Sequence, residues 1–535
     1  ILNVIGDCDQ IKWSAYFMGH TKWTMRIGKG VKSIKERQFA NGSQCLTNVV
    51  FASTVSTIGK GAFQSSGLIN LEIPQGVIVV EDFAFAFCNS LESVRLPASL
   101  SVLGERVFAK TDVSKITVVP ESPAFVVDDG VLYRLKDGEK VRVCQCSSQL
   151  PRDYVLPPTI KSIDSYAFDG CFNLTQLDLP EGFAVLQGNP FAGYHNLSRL
   201  GIPESMSQIM PEAIAPLSLS MLDIKGDRFF VECDILYRRR TSDSAKQIVC
   251  ARLGSADSFS TGDDVAEVLS SALKSSKSLK RLELGTSVES IGSQAFSQCT
   301  ELSRINFNEG LMSINASAFS GCTNVQAVIL PSSVGSLNYD SFRDCSGMRK
   351  VVFHCDVPIL LVESGLLDNL PEVYWPKAYD AAYREVASGC PFGGYTDDLI
   401  PVMTPEGSLV NVPNEWFAAY GGFEEKFGAD RGKALVAKTG KVAADGHEMA
   451  VWEDFVAGTD PTDEDDVFKI VDVRFENGEF KITWSPDLNE DGTKSVRAYT
   501  TYGCSEIGGE WYNADKAPEE VKSQFRFFKV GVEMK

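Results

Sequence analysis

Residues 291–302 read IGSQAFSQCTEL, residues 314–325 read INASAFSGCTNV, and residues 337–348 read LNYDSFRDCSGM. The copies start 23 residues apart, with Phe296, Phe319 and Phe342 at one place and Cys299, Cys322 and Cys345 at another. A fixed period of this length marks a stacked repeat array. Following the anchor outward gives Phe39, Phe63, Phe85 and Phe108 in a first block. Phe168, Phe191 and Ile214 form a second block, and Leu273, Phe296, Phe319 and Phe342 a third, with spacings of 22 to 24 residues inside blocks.

About six residues after most anchors comes a strand signature of the form L-x-x-L-x-L: LINLEI at Leu68, LESVRL at Leu91, LTQLDL at Leu174, LKRLEL at Leu279, LSRINF at Leu302. Its alternation suits a strand with one buried face. A Pro or Gly then turns the chain into the next copy. One such coil cannot bury its own Leu, Ile and Phe. Coils stacked at the strand spacing of about 4.8 Å bury them together, and a constant period sets each Phe on the next. The expected fold is therefore a solenoid of short parallel strands, about 23 residues per coil, with Phe63, Phe85, Phe108, Phe168, Phe191, Phe296, Phe319 and Phe342 in its core.

The chain has fourteen cysteines, and Cys88, Cys171, Cys299, Cys322 and Cys345 all stand three residues after the anchor. Ser66, Thr111, Tyr194 and Leu217 hold that place elsewhere. Side chains stacked one strand spacing apart lie farther from each other than the roughly 3.8 Å that a disulfide wants between Cβ atoms. The ladder is expected to be stacked free thiols acting as small apolar groups. Cys144, Cys146, Cys233 and Cys250 lie outside the ladder, and their pairing stays open.

The segments SIGSQAFSQCTELSRINF and LPSSVGSLNYDSFRDC resemble the BspA-type leucine-rich repeats of bacterial surface proteins, over roughly Val31 to Phe353 and about eleven copies. Two interruptions, FVVDDGVLYRLKDGEKVRVCQC after Ala124 and FFVECDILYRRRTSDSAKQIVCARL after Arg228, read as β-hairpins. The resulting division is an N-terminal cap (1–30), a first repeat block (31–119), a hairpin insertion (120–157), a second block (158–224), a second hairpin insertion (225–262), a third block (263–370), a solenoid C-cap (371–395), a linker with a helical segment (396–466) and a small β-rich domain (467–535). The resemblance implies an extracellular or cell-surface bacterial location, and adhesion to protein or glycan surfaces of a host or of other bacteria.

Composition narrows the function classes. A net charge of −19 argues against general nucleic-acid binding, which needs surplus Lys and Arg. No run of about 18 apolar residues occurs, so no membrane-spanning helix is expected. The opening ILNVIGDCDQ lacks a start Met and reads as a mature or truncated chain. His20, His195, His354 and His447 are the four histidines, none in a metalloprotease motif or beside a nucleophile elbow. No enzyme constellation emerges, and neither catalytic residues nor a metal site nor a cofactor is expected.

Past the repeats, PEVYWPKAYDAAYREVASG reads as a last strand and a short capping helix. Residues 397–413 read as polar and turn-rich. NEWFAAYGGFEEKFG and MAVWEDFVAGTDP read as helical, with Trp416, Phe417, Phe423, Trp452 and Phe455 as core candidates. The second stretch is similar to calcium-binding segments of secreted bacterial proteins, keeping Asp454, Asp460 and Asp463. It lacks the preceding alternating aspartates, so a degenerate structural copy is favoured over bound calcium. The last 70 or so residues read as strands, and with AGTDP they resemble C-terminal modules on secreted proteins of anaerobic gut bacteria.

Strand positions that face away from the core form two rows. One reads Asn48, Asn70, Ser93, Lys115, then Gln176, Arg199, Met221, then Arg281, Arg304, Ala327, Lys350. The other reads Val50, Glu72, Arg95, Thr117, then Asp178, Gly201, Asp223, then Glu283, Asn306, Ile329, Val352. Arg281, Glu283, Arg304, Asn306 and Lys350 are the candidate binding residues, since a basic stripe on an acidic chain suits an acidic glycan or protein. The competing and favoured explanation is ordinary mixed charge on an exposed strand face. The expected function is non-catalytic binding or adhesion. The alternatives are a subunit that assembles with itself into a surface layer or fibre, and a targeting portion of a carbohydrate-acting enzyme.

Overall fold

Each coil is built from three runs of backbone, and every run bonds to the same run one coil on. This is seen in a computed structural model that describes residues 2–4, 22–40, 44–111, 113–193, 196–355, 364–396, 399–403, 409–413 and 426, with isolated strands between 438 and 534. The chain divides into two units, Ile1–Arg252 and Leu253–Lys535.

In the second unit the short strands Ser290–Ile291, Ser313–Ile314 and Ser336–Leu337 pair in parallel, Ser opposite Ser and Ile opposite Ile or Leu. The longer strands Ser258–Ser260, Arg281–Glu283 and Arg304–Asn306 form a second parallel ladder. Ala327–Leu330, Lys350–Phe353, Glu372–Trp375 and Phe392–Tyr395 form a third. The repeated phrase supplies the remaining run. Gln294, Phe296 and Gln298 donate their N–H groups to the carbonyls of Ala316, Ala318 and Ser320 at 2.8–3.0 Å. The intervening Ala295, Ser297 and Cys299 close turns onto Gly292, Gln294 and Phe296. This alternation needs a left-handed residue two places before and two after the anchor, here Gln294 (φ 58°) and Gln298 (φ 62°). Glycine suits such places, and Gly61, Gly170, Gly193 and Gly321 hold them in other coils.

The expected core is present. Phe63, Phe85, Phe108, Phe168, Phe191, Phe296, Phe319 and Phe342 are all buried, as are Cys88, Cys171, Cys299, Cys322 and Cys345. Rings stack between coils at 5.2 Å for Phe296–Phe319, 5.1 Å for Phe319–Phe342 and 5.5 Å for both Phe63–Phe85 and Phe168–Phe191. Burial of such a ring stabilises by about 2–3 kcal/mol and stacking adds roughly 1 kcal/mol. The parallel sheet begins earlier than Val31, since Leu2–Val4 pairs with Trp23–Ile27, which pairs with Leu46–Val50.

Each insertion has three strands where the sequence suggested a two-stranded hairpin. Phe125–Asp128, Val131–Lys136 and Glu139–Cys146 form an antiparallel meander, as do Phe229–Glu232, Ile235–Arg239 and Lys246–Ala251. The first insertion then stands in for a coil. Arg142 and Val143 pair in parallel with Ser162 and Ile163, and the Cys146 N–H reaches the Ala167 carbonyl at 2.7 Å, as an anchor Phe would. Residues 258–260, assigned from sequence to the second insertion, already belong to the solenoid ladder.

The C-cap comprises Glu372–Trp375 and the helix Asp380–Val386, whose Tyr383 stacks on Trp375 (5.7 Å) and lies against Phe353 (5.1 Å). Two expectations beyond it are corrected. Leu399–Met403 and Leu409–Pro413, expected as turn-rich linker, form an antiparallel hairpin of mostly apolar residues. Glu448–Ala450, at the start of an expected helix, is a strand paired with Lys438–Val442. Trp416, Phe417, Phe423, Trp452, Phe455, Asp454, Asp460 and Asp463 lie outside the described residues. Lys469–Glu476 with Glu479–Ser485, and Arg497–Cys504 with Phe527–Met534, supply the strands expected of the last region. Among the described residues no helix is long and apolar enough to cross a membrane.

Candidate binding surface

Strand alternation turns one residue in two outward, so the longer strands build a surface whose chemistry repeats at the coil spacing. In the first unit Asn70, Ser93 and Lys115 stand side by side in register, next to Glu72, Arg95 and Thr117. The Ser93 hydroxyl donates to Asn70 Oδ1 at 2.6 Å, and Arg95 lies 3.9 Å from Glu72. Farther along, Arg199 bridges two coils, reaching Asp178 at 2.9 Å and Asp223 at 2.6 Å. Gly201 sits between those aspartates because a Cβ there would lie 1.9 Å from Asp178 Oδ1. Charge on this face is largely spent on its neighbours.

Of the candidate residues of the second unit, Arg281 and Lys350 likewise meet acids. Arg281 and Arg304 are adjacent in register, as are Glu283 and Asn306. Arg281 pairs with Asp257 at 2.8 Å, and Arg304 Nε donates to Asn306 Oδ1 at 3.3 Å. Lys350 is not part of a continuous stripe with them. It lies beside Ala327 and 3.7 Å from Glu372. Ala327 and Val352, expected on the outer rows, are instead buried. The hairpin Leu399–Met403 and Leu409–Pro413 covers them, with Met403 and Leu409 packing against Ala327, Val352 and Tyr374. Sequence reasoning missed this cover and missed Asp257. The available signals were the apolar runs LIPVM and LVNVP and the apolar outer residues Ala327, Ile329 and Val352.

The ladder thiols donate to carbonyls one coil back, Cys171 to that of Ser147 at 3.4 Å. Cys88, Cys322 and Cys345 donate to the anchor carbonyls of Phe63, Phe296 and Phe319 one coil back, at 3.2–3.3 Å, and Cys299 to that of Leu273 at 3.3 Å. Burial pushes the Cys299 thiol up to about 11 and the Cys345 thiol up to about 12. Protonated thiols of this kind are inert. Cys144, Cys146, Cys233 and Cys250 are free thiols, of which Cys233 is exposed on the turn joining two insertion strands.

At the seam made by the first insertion, the Arg142 guanidinium donates to the carboxylate of Asp164, which is buried. Burial raises Asp164 to about 6 despite that partner. A cleft of about 360 Å³ opens there, lined by Glu105, Arg142, Asp164, Ser165 and Gln187 among others. No group of metal-ligating side chains forms among the described residues. His195 lies outside them.

Comparison with known proteins finds the repeats in a family profile. The profile of the BspA type Leucine rich repeat region matches residues 11–125, 146–236 and 252–360, as six copies. No curated protein matches the chain. Among solved structures, the pneumococcal vaccine antigen PcpA is 16% identical over 74% of this chain and 84% of its own, with a TM-score of 0.34. A leucine-rich repeat protein from Eubacterium ventriosum is 18% identical over 64% and 88%, with a TM-score of 0.36. A leucine rich cell surface protein from Faecalibacterium prausnitzii is 18% identical over 70% and 87%, with a TM-score of 0.34.

Proposed function

The chain belongs to the BspA-type leucine-rich repeat family, and on that premise we propose that it is a secreted or surface-displayed bacterial protein that binds other surfaces without chemistry of its own. The observation that carries this reading is the outward strand face, whose polar rows are fixed in register coil after coil. A rigid periodic face recognises by shape and by the pattern of its polar groups. The buried thiols are held protonated, and ion pairs such as Arg199 with Asp178 and Asp223 hold side chains in place. Binding of the whole chain to an array of glycans and matrix proteins tests the reading, with saturable binding to a restricted set as the expected outcome. Absence of saturable binding, with particle mass growing as concentration rises, would favour self-assembly instead.

A further inference from the structure

The first insertion supplies a coil with a shortened phrase. Val143 is three residues from Cys146, whereas Ile58 is five from Phe63. The outward left-handed place before the anchor is therefore missing from that coil, and groups on either side of it meet across the seam. The Lys110 N–H, whose equivalent in the preceding coil (Phe87) donates to the next carbonyl, instead reaches Asp169 Oδ2 at 2.6 Å. Arg106 extends between two aromatic rings, 5.5 Å from the centroid of Phe83 and 5.7 Å from that of Tyr166. Its guanidinium has no ion pair and no hydrogen bond among the described residues, and its Nε is buried without a partner.

The coil fixes a left-handed backbone at these places but does not call for bulky side chains there. Phe83, Phe87, Arg106, Lys110 and Tyr166 all have φ between 55° and 64°, a conformation that bulky side chains adopt only under strain. The equivalent places in the third block hold Gln294, Gln298, Ser317 and Asp340. Phe87 is strained yet 42% exposed. Phe83 and Tyr166 are half-buried, and the exposed Phe87 ring, set on a backbone that suits glycine, points to recognition rather than folding.

We propose that this seam binds a saccharide bearing a carboxylate, a deepening that rests on the binding role proposed above. A guanidinium clamped between rings presents its remaining N–H edge to a planar carboxylate. The exposed Phe87 ring offers a flat apolar surface to a sugar's C–H face. A polar cleft is lined by Glu105 and Ser165, which precede Arg106 and Tyr166 in sequence; its carboxylates Glu105, Asp164 and Glu212 suit sugar hydroxyls and leave the ligand's own carboxylate to Arg106. The aromatic–cationic patch spans a few coils, the scale of one or two sugar rings.

The test is calorimetric titration of the whole chain with an oligouronate, with the same oligosaccharide after reduction of its carboxyl groups, and with an acidic peptide. The expected result is saturable binding of the oligouronate, about tenfold or more weaker for the reduced sugar and for Arg106→Gln. Phe87→Asn, which suits the left-handed backbone, should melt no lower than the parent chain yet bind more weakly. No saturable binding of the oligouronate overturns the proposal, as does binding indifferent to Arg106→Gln or equal binding of the acidic peptide. If the chain still captures another array ligand when the oligouronate fails, the seam site falls while the broader binding role stands.

Discussion

The Cys322 thiol donates to the carbonyl of Phe296, one coil behind it, at 3.2 Å. That carbonyl also closes the local turn from the Cys299 N–H at 3.3 Å, so the thiol occupies a second acceptor site that would otherwise be buried empty. Cys322→Ala removes the donor and leaves a small void, and should cost about 1–2 kcal/mol in urea unfolding. Cys322→Ser keeps a donor at the place where Ser66 and Thr111 stand in other coils, and should cost less. An Ala variant no less stable than the Ser variant would contradict this role.

Thiol reactivity should follow burial. At pH 8 in the native state, iodoacetamide should modify Cys233, which is exposed, well before Cys299, Cys322 or Cys345, whose thiols are held protonated. Peptide mass spectrometry reads the order directly. Ladder cysteines labelled as fast as Cys233 would show that the coils open readily.

The buried pair Arg142–Asp164 gives a pH dependence of unexpected sign. Burial raises Asp164 from 3.8 to about 6 in the folded state. The proton is bound more tightly when folded, so this group's contribution is fully present below about 4 and is lost as pH rises through 6. Between pH 7 and pH 4.5 the denaturation midpoint should therefore rise on acidification, this group's share of the stability growing by no more than about 3 kcal/mol. Asp164→Asn should flatten the profile. A midpoint that falls over this interval in the parent chain but not in Asp164→Asn would refute it.

Gly201 and Asp178 should be coupled. A Cβ at 201 collides with the Asp178 carboxylate held by Arg199, so Gly201→Ala should destabilise by about 1–3 kcal/mol. In an Asp178→Ala background the same change should cost less, because the carboxylate that a Cβ would meet is gone. Equal costs in both backgrounds would mean that the glycine serves some other purpose.

The stacking was legible because Phe and Cys recur at one period, and only a stack gives each a constant neighbour. The outer strand residues Arg281 and Arg304 were placed in register on the same grounds. Their partners were not legible. Asp257 precedes SFS, a strand too short and polar to carry the L-x-x-L-x-L signature. The hairpin over Ala327 and Val352 is interrupted by Pro401 and follows a Gly-rich stretch. The strained seam left a trace in the sequence, since places held by Gly61, Gly170 and Gly321 elsewhere hold Phe83, Lys110 and Tyr166. Aligning the coils on their glycines rather than on their phenylalanines exposes it.

On the proposed binding role, the chain releases what it binds unaltered. The most direct measurement pairs a surface-plasmon-resonance isotherm for the strongest array ligand, on a chain shown by light scattering to be monomeric, with mass spectrometry of the recovered ligand. Reversible, saturable binding with the ligand mass unchanged is the expected result. Recovery of cleaved or modified ligand, or binding that appears only once the chain has assembled, would contradict it.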